Sequence, residues 1–164
     1  LGSQNSYVAF NLTSKNGAPE TISGNGNGIK ACSIKGAAAK VEYNISFDNK
    51  EHGFDCHYDR NTGVVFKHNT AYGNGRLGFG IESGKDVKII NNLASENKNI
   101  ENEVQHGIQQ NNSWQKGGII QFISTDSDHP DFLKPAVGGG FENIGAYAAS
   151  AGVDKAAKIF LIGD

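Results

Sequence analysis

Among its 164 residues the chain has no methionine, one tryptophan, three prolines and two cysteines. These scarcities exclude several kinds of protein. Cys32 and Cys56 are too few for a disulfide framework or a zinc site. Both sit in apolar-flanked segments, which predicts buried free thiols. No apolar stretch approaches the ~20 residues that span a bilayer, so no membrane partner is expected. Fifteen lysines and arginines stand against 17 acids, for a net charge of -2, and the basic residues are scattered. Nucleic acid is therefore not an expected partner either. Leu1 to Phe10 has neither a charged start nor an apolar core, the pattern of a chain without a signal peptide, which mature secreted chains share.

Glycine is plentiful. The 22 glycines are about twice the usual share. Helix formers are sparse before the C-terminal tail, and short runs of Val, Ile, Phe and Tyr alternate with Gly/Asn turns. That composition predicts an all-β chain.

The turns recur. NGI (27–29), HGF (52–54), LGF (77–79) and HGI (106–108) share a glycine followed by an apolar residue, and their glycines step by 25, 25 and 29. Between them lie VEYNISFDN (41–49), VVFKHNTAYGN (64–74) and VKIINNLASEN (87–97), whose asparagines Asn44, Asn69 and Asn92 step by 25 and 23. SYVAFN (6–11) is an earlier partial copy and NNSW (111–114) a later one. Two interleaved families with one period place at least two short strands in each coil, and a repeat of ~20–25 residues with stacked strands predicts a short right-handed parallel β-helix. Leucine-rich repeats have a similar period, but their leucine framework is missing. Propeller blades need ~40 residues. Stacking predicts three columns: Ile29, Phe54, Phe79 and Ile108 inward; Val41, Val64 and Val87 inward; and Asn44, Asn69 and Asn92 as an amide ladder at a turn.

The period fails in the last third. SDHPDFLKPAVGGGFENIGAYA (127–148) reads as a loop that leaves the coil and returns along its side, and GVDKAAKIFLIGD (152–164) as a short helix or strand covering the solenoid. The expected organisation is a single domain, with coils over 1–126 and a non-repetitive tail over 127–164.

Two places after each column glycine stand Lys30, Asp55, Gly80 and Gln109. Strands ~4.8 Å apart would set Lys30 beside Asp55, close enough to pair. Asp59, Arg60 and Arg76 fall in nearby turns. GNGNGIK is not a phosphate loop, because it lacks GxxxxGK[ST] spacing and alanine follows the lysine.

GNGNGIK, ISFDNKEHGFD, NTGVVFKHNTAYGNGR and GKDVKIINNLAS together resemble polysaccharide lyase family 9, the right-handed β-helix pectate lyases. The likeness runs from about Ser6 to Asn97 and resumes in NNSW, DFLKPA and ENIGAY. It implies a secreted enzyme that cleaves pectate or a similar acidic polysaccharide by β-elimination, with Lys30 as the base and calcium as cofactor. Arg60 and Arg76 are the candidate carboxylate binders. Lysine suits this chemistry where burial and neighbouring cations favour its neutral form. The family's calcium-binding aspartates precede the lysine coil, whereas the first acidic residue here is Glu20. The likeness is therefore to the C-terminal half of such an enzyme, with N-terminal coils or a partner chain covering the open end. A shifted register would offer Asp48, Glu51, Asp55 and Asp59 as calcium ligands. The alternatives are a non-catalytic β-helix module that binds acidic polysaccharide, a fragment of a larger lyase without the calcium coils, and another β-helix carbohydrate enzyme such as a uronan epimerase.

Overall fold

The computed structural model describes residues 5–17, 25–31, 38–57, 63–82 and 86–148. Within them the chain visits three parallel sheets in rotation. The first sheet stacks β1 (Ser6–Ala9), β4 (Ala39–Glu42), β7 (Val65–Lys67), β10 (Lys88–Ile90) and β13 (Ile108–Gln110) in that order. The second stacks β2 (Leu12–Ser14), β5 (Ile45–Phe47), β8 (Thr70–Tyr72) and β11 (Leu93–Ser95). The third stacks β3 (Ile29–Lys30), β6 (Phe54–Cys56), β9 (Leu77–Ile81) and β12 (Ile100–Val104). Consecutive strands change sheet and each pairs with its counterpart one coil away, which makes the fold a parallel β-helix. Among the described residues no helix is long and apolar enough to cross a membrane.

Two ladders of asparagine set the register. In the first, the side-chain amide of Asn11 donates to Asn44 Oδ1 (2.9 Å), Asn44 to Asn69 (2.9 Å), Asn69 to Asn92 (3.0 Å) and Asn92 to Asn112 (3.1 Å). Each receiving Oδ1 also takes the backbone N–H of the preceding rung, as Asn69 Oδ1 does from Asn44 (3.1 Å). The second ladder, five residues further along every coil, joins Asn16, Asn49, Asn74 and Asn97 at 2.8, 2.9 and 2.9 Å. At the far end Gln115, in the short helix α1 (Ser113–Lys116), takes the next rung's place: its Oε1 accepts from both the backbone N–H and the amide of Asn112, each at 3.0 Å. Glu101 accepts the last amide of the second ladder, from Asn97 at 2.5 Å.

The second ladder, together with the backbone carbonyls of the next coil (Gly53 O, Gly78 O and Glu101 O), also explains the glycine column. A Cβ on Gly28, Gly53 or Gly78 would lie 2.8 Å from the amide nitrogen of Asn49, Asn74 or Asn97 respectively, inside the contact distance of any real side chain. The residues just before the first ladder, Phe10, Tyr43, His68, Asn91 and Asn111, have φ of 58, 55, 53, 55 and 54°. A left-handed residue other than glycine costs roughly 1–2 kcal/mol, a strain that the rung's hydrogen bonds offset.

Counting from the ladders corrects two predicted columns. Val41 pairs with Phe66, and Phe66 with Ile89, so Val64 and Val87 are not its partners. Val41 stands three residues before its ladder asparagine, as Phe66 and Ile89 do, whereas Val64 and Val87 stand five before theirs. Ile29, Phe54 and Phe79 do stack, as predicted. Their fourth member is Asn102 rather than Ile108, which lies in the first sheet opposite Lys88. The step of 29 residues between Gly78 and Gly107 carries HGI one sheet too far. Trp114 closes the core at this end, its ring 5.2 Å from that of Phe79. Inside, Phe54 and Phe79 stack at 4.7 Å and Phe66 meets both edge-on at 6.3 and 6.5 Å.

Residues 117–148 lie over the second sheet. Phe132 packs edge-on against Phe47 (4.8 Å), Leu133 and Tyr147 join Ile45, and Phe141 and Ile144 cover Leu93. Gly145 N–H donates to Asn91 O (2.8 Å) and Ala146 N–H to Thr70 Oγ1 (2.9 Å). The expected helix or strand at 152–164 lies outside the described residues. Cys56 is fully buried but disulfide-bonded, which corrects its reading as a free thiol; two cysteines are too few for a framework yet sufficient for one bridge. The placement of Cys32 lies outside the described residues.

Two predictions rest on the first ladder. Asn69→Ala removes an amide that donates to Val41 O (2.8 Å) and Asn92, and an oxygen that accepts from Asn44. The stranded buried groups should lower the unfolding free energy by about 3 kcal/mol, read as a shifted urea midpoint; an unchanged midpoint would refute the ladder's role. His68 is stacked on Tyr43 at 5.0 Å, and burial, with a smaller effect from Lys67, lowers its pKa from 6.5 to about 4. The unfolded chain protonates near 6.5 but the folded one does not until about pH 4. Stability is therefore full above pH 6.5 and falls by up to about 3 kcal/mol as pH drops toward 4. His68→Gln should remove that part of the slope.

Candidate active site

Strand alternation sends Ile29 into the core and Lys30 outward. The parallel register of β3 on β6 then sets Lys30 opposite Asp55. Asp55 has no exposed side-chain surface, yet three polar side chains reach it. Lys30 Nζ lies 2.8 Å from Oδ2, the Asn27 amide donates to the same oxygen at 2.7 Å, and His57 Nδ1 lies 2.7 Å from Oδ1. Asn27 in turn accepts the backbone N–H of His52 through Oδ1 (3.1 Å). The asparagine inside GNGNG therefore braces the carboxylate that holds the lysine.

Gly80 follows Asp55 in the column. A Cβ there would sit 3.2 Å from His52 Nδ1, so the glycine leaves room for an imidazole. His52 is 3% exposed, and its Nδ1 has no hydrogen-bond partner among the described residues. Burial lowers its pKa, with Arg76 pulling the same way, against a raising effect from Asp55 and Glu51; the ring is therefore uncharged at neutral pH. After Gly80 the column continues to Glu103, not Gln109. Gln109 lies in the first sheet opposite Ile89 and accepts from Trp114 Nε1 at 2.7 Å.

Asn25, Asn27, Glu51, His52, His57 and Arg76 line a cleft of about 290 Å³. Arg76 and Glu51 face each other there at 3.8 Å, Arg76 exposed and Glu51 partly so, a loose contact that an incoming carboxylate could replace. Arg60 and Asp59 lie outside the described residues. Asp48 is exposed and lines a different cleft, with Lys15, Tyr72 and Asp128, so the structure does not bring it to Glu51 and Asp55. Both oxygens of Asp55 already serve Lys30, Asn27 and His57, and among the described residues no three His, Cys, Asp or Glu side chains gather as a metal site. Calcium takes six to eight oxygens. The described residues do not fit it.

Sequence reasoning missed Asn27, His52 and His57 as parts of this cluster. His57 was within reach: it lies two residues beyond Asp55, and a period of two keeps both on one strand face. For Asn27 and His52 no sequence signal distinguishes these roles from those of ordinary turn residues.

An alignment over 97 residues, covering 56% of the chain, is 35% identical to pectate lyase L of Paenibacillus polymyxa strain SC2 and spans 20% of that protein. Over this stretch the chain is pectate lyase-like. It covers a fifth of its relative's length. No family model and no solved structure matches the chain.

Removing either partner should expose the strength of the central pair. Asp55→Ala removes the buried carboxylate that Lys30, Asn27 and His57 share and should cost about 3 kcal/mol of unfolding free energy, as loss of one buried-pair partner typically does. Lys30→Ala should cost less, about 1 kcal/mol, because Asn27 still donates to the carboxylate and His57 still lies against it. Denaturant titration of the two variants gives the comparison; equal costs would show that the cluster is not built around Asp55.

Proposed function

We propose that the chain acts on an acidic polysaccharide of the pectate type, cleaving it by β-elimination with Lys30 as the base. The observation that carries this reading is one amine, 26% exposed and held on an outward strand face, next to a cleft that also presents a guanidinium. The likeness to pectate lyase L supports the reaction class. In this reading the uronate carboxylate exchanges with Glu51 for Arg76, which orients the ring and stabilises the charge that develops on the carboxyl group. Lys30 Nζ removes the C5 proton, the electron pair forms the C4–C5 double bond, and the C4–O bond breaks with the leaving oxygen taking up a proton. Asp55, fixed by Asn27 and His57, sets where Nζ stands. Calcium would acidify C5 if bound, but the described residues offer it no site. Secretion belongs to the same reading and is supported by the disulfide at Cys56, since such bonds persist in oxidising compartments.

The tight Lys30–Asp55 pair favours a second reading, a non-catalytic module that binds acidic polysaccharide. An amine engaged by a carboxylate at 2.8 Å is a structural contact unless substrate disturbs it.

Absorbance near 235 nm, where unsaturated uronates absorb, separates the two with polygalacturonate across pH 7 to 10, with and without calcium. Lys30→Ala should reduce the rate roughly a hundredfold or more, and Arg76→Ala should raise KM more than it lowers kcat. No product from the folded wild-type chain, together with retained polymer binding, would overturn the lyase in favour of the module.

A further inference from the structure

The outer face of the first sheet lies on a different strand set from Lys30. Its register aligns Tyr7, Lys40, Val65, Lys88 and Ile108 in one outward column, with Ala9, Glu42, Lys67, Ile90 and Gln110 in the next. Their inward neighbours Val41, Phe66 and Ile89 are fully buried, so alternation leaves these two columns facing outward. Lys40 and Lys88 are exposed and two strands apart, about 10 Å along the stack. Lys67 sits between them in the neighbouring column. Among the described residues of these columns the single acid is Glu42. Three cations against one anion on one face of a chain with a net charge of -2 is a local reversal of sign.

This face also has a cleft and an aromatic ring. Ser6, Tyr7, Lys40, Glu42 and Gly63 line a depression of about 530 Å³. Tyr7 is 59% exposed, and its hydroxyl donates to Glu42 at 3.4 Å. That contact steadies the ring at the cleft wall and partly occupies the one opposing charge. An exposed tyrosine presents an apolar ring face on which the C–H face of a sugar can stack. Lysines repeated along the coil axis match a polymer that carries a carboxylate on every sugar better than they match a single small anion.

We propose that this face is a second binding surface for a linear polyuronate, with Lys40, Lys67 and Lys88 pairing successive carboxylates and Tyr7 stacking on a sugar ring. The choice of a uronate polymer rests on the reading of the previous subsection; the surface itself does not use Lys30 or its cleft. It would hold the polymer on the protein while the Lys30 site is empty, as a second linked contact raises the effective concentration at the first.

Native gel electrophoresis with polygalacturonate cast in the gel tests this without any turnover. The folded wild-type chain and Lys30→Ala should both be retarded at low salt, and the retardation should fade as salt screens the lysines. Lys40→Gln combined with Lys88→Gln should raise the apparent dissociation constant at least tenfold, and Tyr7→Ala several-fold, with circular dichroism showing all variants folded. A neutral galactan should cause no retardation. The proposal is overturned if the lysine variant binds as tightly as wild type, if only Lys30→Ala loses binding, or if the wild-type chain is not retarded. Lyase failure appears separately, as absence of the 235 nm signal, so a chain that binds through Lys40 and Lys88 without cleaving would overturn the catalytic reading alone.

Discussion

The structure depends on one repeated bond: a buried asparagine amide on one coil donating to the side-chain oxygen of the asparagine on the next. Because that oxygen also takes a backbone N–H, each rung ties turn to turn as well as side chain to side chain. Two such ladders, five residues apart, pin both ends of every second-sheet strand. The remaining register follows from them. The core columns are located by counting from the asparagines, and the glycines are glycines because the ladder amides and the backbone carbonyls of the next coil together leave no space for a Cβ. The first ladder also has a built terminus. Gln115 reproduces the acceptor geometry of a further asparagine from a residue one methylene longer, and the adjacent Trp114 seals the aromatic stack.

The candidate site uses the same register for a different purpose. Coil stacking places a lysine directly over an aspartate, and the buried carboxylate draws in an asparagine and a histidine. A buried acid is tolerable only when its oxygens are satisfied, so this cluster is ordered around the charge of Asp55. Two members of the cluster, Asn27 and His57, line a cleft that holds a loose Arg76–Glu51 contact. Fixed geometry on the inner side and exchangeable contacts on the outer side are what a substrate-accepting surface requires.

Much of this was legible in the residues. The period, the all-β composition and the ladder of Asn44, Asn69 and Asn92 are visible as spacing. So is the pairing of Lys30 with Asp55, because a column position depends only on the count from a glycine. Errors arose where the count was anchored on apolar residues. Val64 and Val87 resemble Val41 but stand at a different distance from their asparagines, and Ile108 follows a glycine that belongs to another sheet. Apolar residues recur on several faces and are interchangeable in a core. A rung has to be an amide at one exact place in the turn, so it is the more reliable marker.

The sequence by itself determined the coil: its period, its parallel stacking and the outward position of Lys30, since these depend on local spacing repeated along the chain. Tertiary structure alone decided what surrounds Asp55, that Asp48 and Glu51 face different clefts, and that Cys56 is bridged. Those are relations between turns. The direction in which a turn sends its side chain depends on which coil lies above and below, and no count along one strand contains it.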